Sequence, residues 1–254
     1  MSEQKFATPT EIIDLPSKGL LYPKDNLLSS GKVELKYMTA KEEDIITNVN
    51  LLKQGTAIEK MLKSLIVSKI NYEDLLLGDR NMLLIAARIL AYGPIYSFKY
   101  PHPLTGELEL AKVDLQQLKN KEIDYSLLSE NNEFTFELPH TKTLVTFKVL
   151  TVGDDKNIDQ ELKSLKRVFG EDGVGESTTR LKFQLTSVNG DRSTATIRTF
   201  VDSGNLISRD TVPLRKFIRS VTPDVNMTAT LVFGDGSTTE ISLPIGVDFF
   251  FPSE

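Results

Sequence analysis

The sequence predicts an α+β fold: a helix-rich core with a small antiparallel β unit and a C-terminal β-hairpin. Two consecutive capping boxes, Thr39–Glu42 and Thr56–Glu59, each precede apolar residues at helical spacing. Several short stretches alternate apolar and polar residues with period two, and they do not form a repeated βαβ series. With 254 residues, 40% of them hydrophobic and 26% charged, the chain is large enough to bury a sizeable core in one or two domains. No internal repeat is visible.

The composition divides the chain into five segments. Residues 1–31 read as an extended N-terminal arm. Pro16, Gly19 and Pro23 forbid a continuous helix there, and isolated apolar anchors include Leu15, Leu20 and Tyr22. Residues 32–94 read as a strand plus a helical segment. Lys32 to Tyr37 alternates charged and apolar residues, and the first capping box starts a helix that Gly55 stops. The second box opens a helix with Met61, Leu62, Leu65 and Ile66 on one face. Asn71 caps a short segment that Gly78 closes, and Asp79 starts a helix ending at Gly93-Pro94.

Residues 95–150 read as a β-rich unit. Tyr96, Phe98 and Tyr100 lead through a turn at residues 103–106 into Leu108, Leu110 and Val113, and residues 134–138 and 144–150 form a second antiparallel pair. Residues 151–224 read as helical, with one helix from Asp154 to Phe169, a flexible loop after Gly170, and another helix from Ser208 to Val221 that tolerates Pro213 near its start. Between 178 and 203 two patterns compete. Leu181, Phe183 and Leu185 alternate as in a strand, whereas Leu181, Leu185 and Val188 fit a helix, which is the favoured reading. Asn189-Gly190 suits either a hairpin turn or a helix stop. Residues 225–254 read as a C-terminal hairpin, turning at Gly234-Asp235-Gly236-Ser237, and an aromatic tail, Phe249-Phe250-Phe251.

The chemical inventory argues against most catalytic classes. The chain has no Cys, which excludes disulfides, thiolate metal sites and thiol catalysis, and it has only two His. His102 and His140 lie in proline-flanked turns without a paired-His motif, so both are expected as surface turn residues and no metal is expected. The carboxylate pairs at 42–44, 73–74 and 154–155 sit at helix starts, where the helix dipole accounts for them. Residues 170–177 approximate a phosphate loop in spacing, but Glu176 stands where a Lys is needed, so no nucleotide cofactor is expected. Gly234-Asp235-Gly236 lacks the spaced acidic ligands of a calcium loop and reads as a tight turn.

The net charge of −5 argues against nucleic acid, and the basic clusters (Lys163, Lys166 and Arg167; Arg209, Arg215, Lys216 and Arg219) read as solvated faces able to meet an acidic protein. No apolar run is long enough to suggest a membrane span or signal peptide. Catalytic, cofactor and small-molecule sites are therefore expected to be absent, and the chain is expected to act by binding.

One long motif, Ile13-Asp14-Leu15-Pro16-Ser17-Lys18-Gly19-Leu20-Leu21-Tyr22-Pro23, is followed by Lys36-Tyr37-Met38-Thr39-Ala40-Lys41-Glu42-Glu43-Asp44-Ile45. Further stretches are Lys69-Ile70-Asn71-Tyr72-Glu73-Asp74-Leu75-Leu76-Leu77-Gly78-Asp79-Arg80-Asn81, Ala86-Ala87-Arg88-Ile89-Leu90, Thr186-Ser187-Val188-Asn189-Gly190, and two pieces between Ser208 and Ile218. Together they resemble the baseplate hub proteins of T-even-type contractile-tailed bacteriophages. The resemblance implies a structural hub component or a hub-assembly factor, found in the virion tail baseplate or in the host cytoplasm during assembly, with other baseplate or tail proteins as partners. Relatives carry paired cysteines near the 100–107 turn. This chain has none there, so that metal site does not carry over.

Two segments are expected to meet such partners. Leu15, Pro16, Gly19, Leu20 and Tyr22 form a docking arm or a strap over the helical core, packing within the same chain being the other reading. In Phe249, Phe250 and Phe251, strand alternation would leave one aromatic face available, unless this chain's own helices cover both. A baseplate-associated hydrolytic enzyme and a nucleic-acid adaptor are the alternative functions.

Overall fold

The computed structural model describes residues 8–170 and 175–251. The expected strand forms as β2 (Lys32–Lys36), and it has a partner inside the N-terminal segment, β1 (Thr10–Asp14), antiparallel from Thr10 opposite Lys36 to Asp14 opposite Lys32. The chain between them is not an extended path. It folds back on itself, because Lys18 and Gly19 take positive φ and Gly19 packs against residues 29–31. A Cβ on Gly19 would lie 2.3 Å from the Ser29 carbonyl oxygen, so only glycine fits.

Four helices follow: α1 (Ala40–Thr47), α2 (Val49–Gln54), α3 (Ala57–Leu65) and α4 (Leu77–Tyr92). Three details differ from the sequence reading. The helix expected to run to Gly55 is interrupted at Asn48, whose extended backbone and side-chain oxygen, accepting from the N–H groups of Asn50 and Leu51, end α1 and restart the chain as α2. Thr56 does not cap α3. Its hydroxyl is buried without a partner, and Glu59 pairs with Lys63 at 2.6 Å instead of reaching back. Gly78 does not close a segment but lies inside the first turn of α4, because the Pro223 carbonyl approaches to where its Cβ would be, at 2.0 Å.

The aromatic hairpin forms as β3 (Ile95–Pro101) and β4 (Leu108–Asp114). The second pair, β5 (Phe134–Glu137) and β6 (Leu144–Phe147), belongs to a separate sheet and gains a third strand, β7 (Leu185–Val188). Residues 178–203 therefore combine both readings. Helix α6 (Glu176–Gln184) runs into β7, Asn189 and Gly190 turn with positive φ, and α7 (Thr194–Asp202) follows. Strand β7 prevails over the helix because its backbone pairs antiparallel with β6, which period alone does not reveal.

Helix α5 (Val152–Phe169) starts earlier than expected, since Thr151 caps it in a box with Asp154. Helix α8 (Ser208–Val221) absorbs Pro213, and β8 (Thr228–Val232) pairs with β9 (Thr238–Ser242) as expected. One continuous apolar core runs from Leu15 through Met61, Leu83, Phe147 and Leu214 to Phe250, so the N-terminal loop and the C-terminal tail both belong to it. Small antiparallel sheets among helices make the fold α+β.

Candidate partner-binding site

The loop between β1 and β2 crosses the start of α4 and is fastened there by a carboxylate. Asp79, in the first turn of α4 and fully buried, accepts the Ser17 N–H at 3.0 Å, the Ser17 hydroxyl at 2.7 Å and the Tyr22 hydroxyl at 2.6 Å. Tyr22 Oη in turn accepts the Leu76 N–H at 2.9 Å. Burial pushes the Asp79 carboxyl above the usual carboxylate range against the pull of these donors, and burial together with the Asp79 charge drives the Tyr22 phenol far upward. Tyr125 donates to the Pro16 carbonyl at 3.1 Å, and the Lys18 ammonium lies 3.6 Å from the Tyr125 ring centre.

Seated in this way, the strap has two faces. Leu15, Pro16, Gly19, Leu21, Tyr22 and Leu28 are buried in the chain's own fold. Ile12, Leu20 and Leu27 remain exposed, at 66%, 41% and 60% of their surface. Of the anchors expected on this segment, only Leu20 faces solvent. The sequence reads Asp79 only as the start of a helix and assigns Ser17 no contact, because a Ser in a turn and an Asp in a first helical turn are ordinary at those places; α4 in fact starts two residues earlier, at Leu77.

The tail departs from the expected strand. Residues 247–250 form a single tight helical turn, which carries Phe249 and Phe250 into the core together. Phe249 meets the edge of Tyr96 with ring centres 5.0 Å apart, and its carbonyl accepts from Arg88 Nε at 2.9 Å. Phe251 stays 37% exposed. The alternation argument fails because it holds only for extended backbone.

His102 is likewise not a surface residue. It is buried, with Nδ1 accepting the N–H groups of Leu104 and Thr105, so the ring proton sits on Nε2. That nitrogen lies 3.1 Å from Ser237 Oγ and 3.3 Å from Asp235 Oδ1, tying the β3–β4 turn to the β8–β9 turn. The Ser237 hydroxyl and N–H, with His102 after them, hold Asp235 at about 2. His140 is exposed, and its backbone N–H donates to Asp210. Asp210 is buried, which alone would raise it, yet the donors from His140 and Thr141 hold it below the usual range.

The carboxylates at helix starts do more than favour a dipole. Glu42 is fully buried and accepts from Lys36 Nζ at 2.9 Å, from Ser64 Oγ at 2.5 Å and from the N–H and hydroxyl of Thr39. Burial opposes the charge, and the Ser64, Thr39 and Lys36 donors overcome it and hold Glu42 at about 2. Asp154 pairs with Lys148 at 2.7 Å, and Asp155 with Arg180 at 2.8 Å. Among the described residues, no group of three or more His, Asp or Glu is placed to hold a metal ion, and no helix is long and apolar enough to cross a membrane. Of the stretch that approximates a phosphate loop, residues 171–174 lie outside the described residues, as does part of the loop expected after Gly170.

A family model described as T4 bacteriophage base plate protein matches residues 21–184, from within the strap to the end of α6. Neither a curated protein nor a solved structure gives a match.

Proposed function

The chain belongs to the T4 bacteriophage base plate protein family, and from that premise we propose that it is a structural or assembly protein of the hub region of a contractile tail, working by binding other baseplate proteins rather than by turnover. The two-faced strap carries this reading. Its inner residues fix the path of the loop on α4, and its outer face offers Ile12, Leu20 and Leu27 on a surface ordered before any partner arrives. A preordered loop loses less conformational entropy on docking than a free arm does, and exposed aliphatic side chains supply the apolar centre of an interface. Phe251, at the edge of the buried tail, is a second exposed anchor.

The test is a Leu20→Asp, Leu27→Asp variant supplied in trans during infection by a phage lacking this protein. The unfolding midpoint of the purified variant should match the wild type, while complete baseplates counted by electron microscopy should fall sharply. Normal baseplate numbers would remove the strap's outer face from the function.

A further inference from the structure

We propose that the groove between α6 and α8 binds an acidic, partly apolar peptide segment of another protein. The groove has a volume of about 400 Å³, room for a few side chains, and is bordered by Arg180, Leu181, Val212, Arg215, Ile218 and Arg219. Among the described residues, no Asp or Glu lines it. On α8, Val212, Arg215 and Arg219 follow at i, i+3 and i+7 and so share one face.

The three guanidinium groups are not equivalent. Arg180 is engaged, with Asp155 at 2.8 Å and Glu176 at 3.7 Å. Arg215 and Arg219 have no carboxylate within ion-pair distance among the described residues, although the chain carries 35 acidic side chains against 30 basic ones. Among the described residues, these two cations beside one groove of a net-acidic protein lack an ion-pair partner and give it a positive character. Lys121 donates through its ammonium to the Arg219 backbone carbonyl. Its pKa is lowered, by burial foremost, with the Arg219 charge adding to this against the pull of Asp224.

The floor decides the class of ligand. Leu181 and Ile218, themselves buried, and the 65%-exposed Val212 line the groove together with the arginines, which suits an aliphatic or aromatic side chain flanked by carboxylates. Arg215 and Arg219 can then each take a carboxylate through two parallel N–H donors. A nucleic-acid strand would need aromatic platforms for its bases, and among the described residues no aromatic side chain lines the groove. The proposal stands on the groove alone and is independent of the strap.

The full-length protein is applied to an array of random heptapeptides, and the peptides retained are then measured in solution by fluorescence anisotropy. An oligothymidine is measured in parallel. Retained peptides should be enriched in Asp and Glu next to Leu, Ile, Val or Phe. The Arg215→Glu, Arg219→Glu variant, folded to the same unfolding midpoint, should bind them about tenfold more weakly or worse, a loss of about 1.4 kcal/mol. Val212→Asp should weaken them as well. Absence of acidic enrichment, unchanged binding by the charge-reversed variant, or displacement of the peptides by oligothymidine would each overturn the proposal.

Discussion

Tyr22 and Asp79, 57 residues apart in sequence, share a buried hydrogen bond of 2.6 Å, with the phenol donating to the carboxylate. The same phenol oxygen accepts the Leu76 N–H, so one hydroxyl joins the N-terminal strap to the turn that begins α4. A carboxylate kept from water is costly unless donors surround it, and here two of its three donors come from the strap residue Ser17. The strap thereby stabilises the start of α4, and the start of α4 fixes the strap.

Tyr22→Phe removes one donor from Asp79 and the acceptor of the Leu76 N–H while keeping the ring volume. It should destabilise the protein by about 2–4 kcal/mol, because both groups left behind are buried. Urea unfolding checks this, with a lower midpoint and an unchanged slope. An unchanged midpoint would mean that water replaces the hydroxyl and that the fastening is not energetic.

Glu42 sets a pH dependence. Its folded pKa, about 2, lies below the ordinary value of 4.5, so its contribution to stability is complete above about pH 4.5 and is lost as pH falls through 2. Glu42→Gln should cost about 2–3 kcal/mol at pH 7. The gap between wild type and variant, measured by thermal unfolding across pH, should close toward pH 2. A gap independent of pH would show that Glu42 acts through packing and not through its charge.

Gly78→Ala places a methyl group 2.0 Å from the Pro223 carbonyl oxygen and 2.7 Å from Asp224 Cα, both backbone atoms that side-chain rotation cannot move away. The expected loss is about 3 kcal/mol or more. Gly234→Ala, with no atom within 4 Å, should stay within about 0.5 kcal/mol. Calorimetric unfolding of the two variants makes the comparison.

The tail separates core from surface within two residues. Phe250→Ala should cost about 3–5 kcal/mol, since the side chain is fully buried. Phe251→Ala should change stability by less than about 1 kcal/mol and should instead weaken capture of baseplate proteins in a pull-down. Equal losses of stability in the two variants would place Phe251 in the core as well.

Much of this arrangement was legible in the residues. The box at Thr39, the alternation at Lys32, the aromatic run at Tyr96 and the Gly-Asp-Gly turn all act locally, and each produced the expected element. Three misreadings share a nonlocal cause, whereas the break at Asn48 and the early start of α5 at Thr151 come from local side-chain caps. Gly78 reads as a helix stop until Pro223 is placed beside it, β7 reads as helix until β6 lies alongside, and His102 reads as a surface turn residue until the distant Ser237 closes over it. Asp79 signalled a helix start but not its buried contacts, because its partners Ser17 and Tyr22 are brought to it by a loop whose folding depends on Gly19.

The most direct test of the central claim, that the strap's outer face joins this protein to other baseplate proteins, is cross-linking mass spectrometry with quantitation. It is applied to purified phage tails and to assembly intermediates. Lys24, with 88% of its side chain exposed, and Lys32, with 61%, flank Leu27 and report on that face. Cross-links from these two lysines to a different baseplate protein are expected, in the finished tail for a component or in intermediates alone for an assembly factor. Recovery of the protein in either fraction with both lysines cross-linked solely within its own chain would contradict the claim.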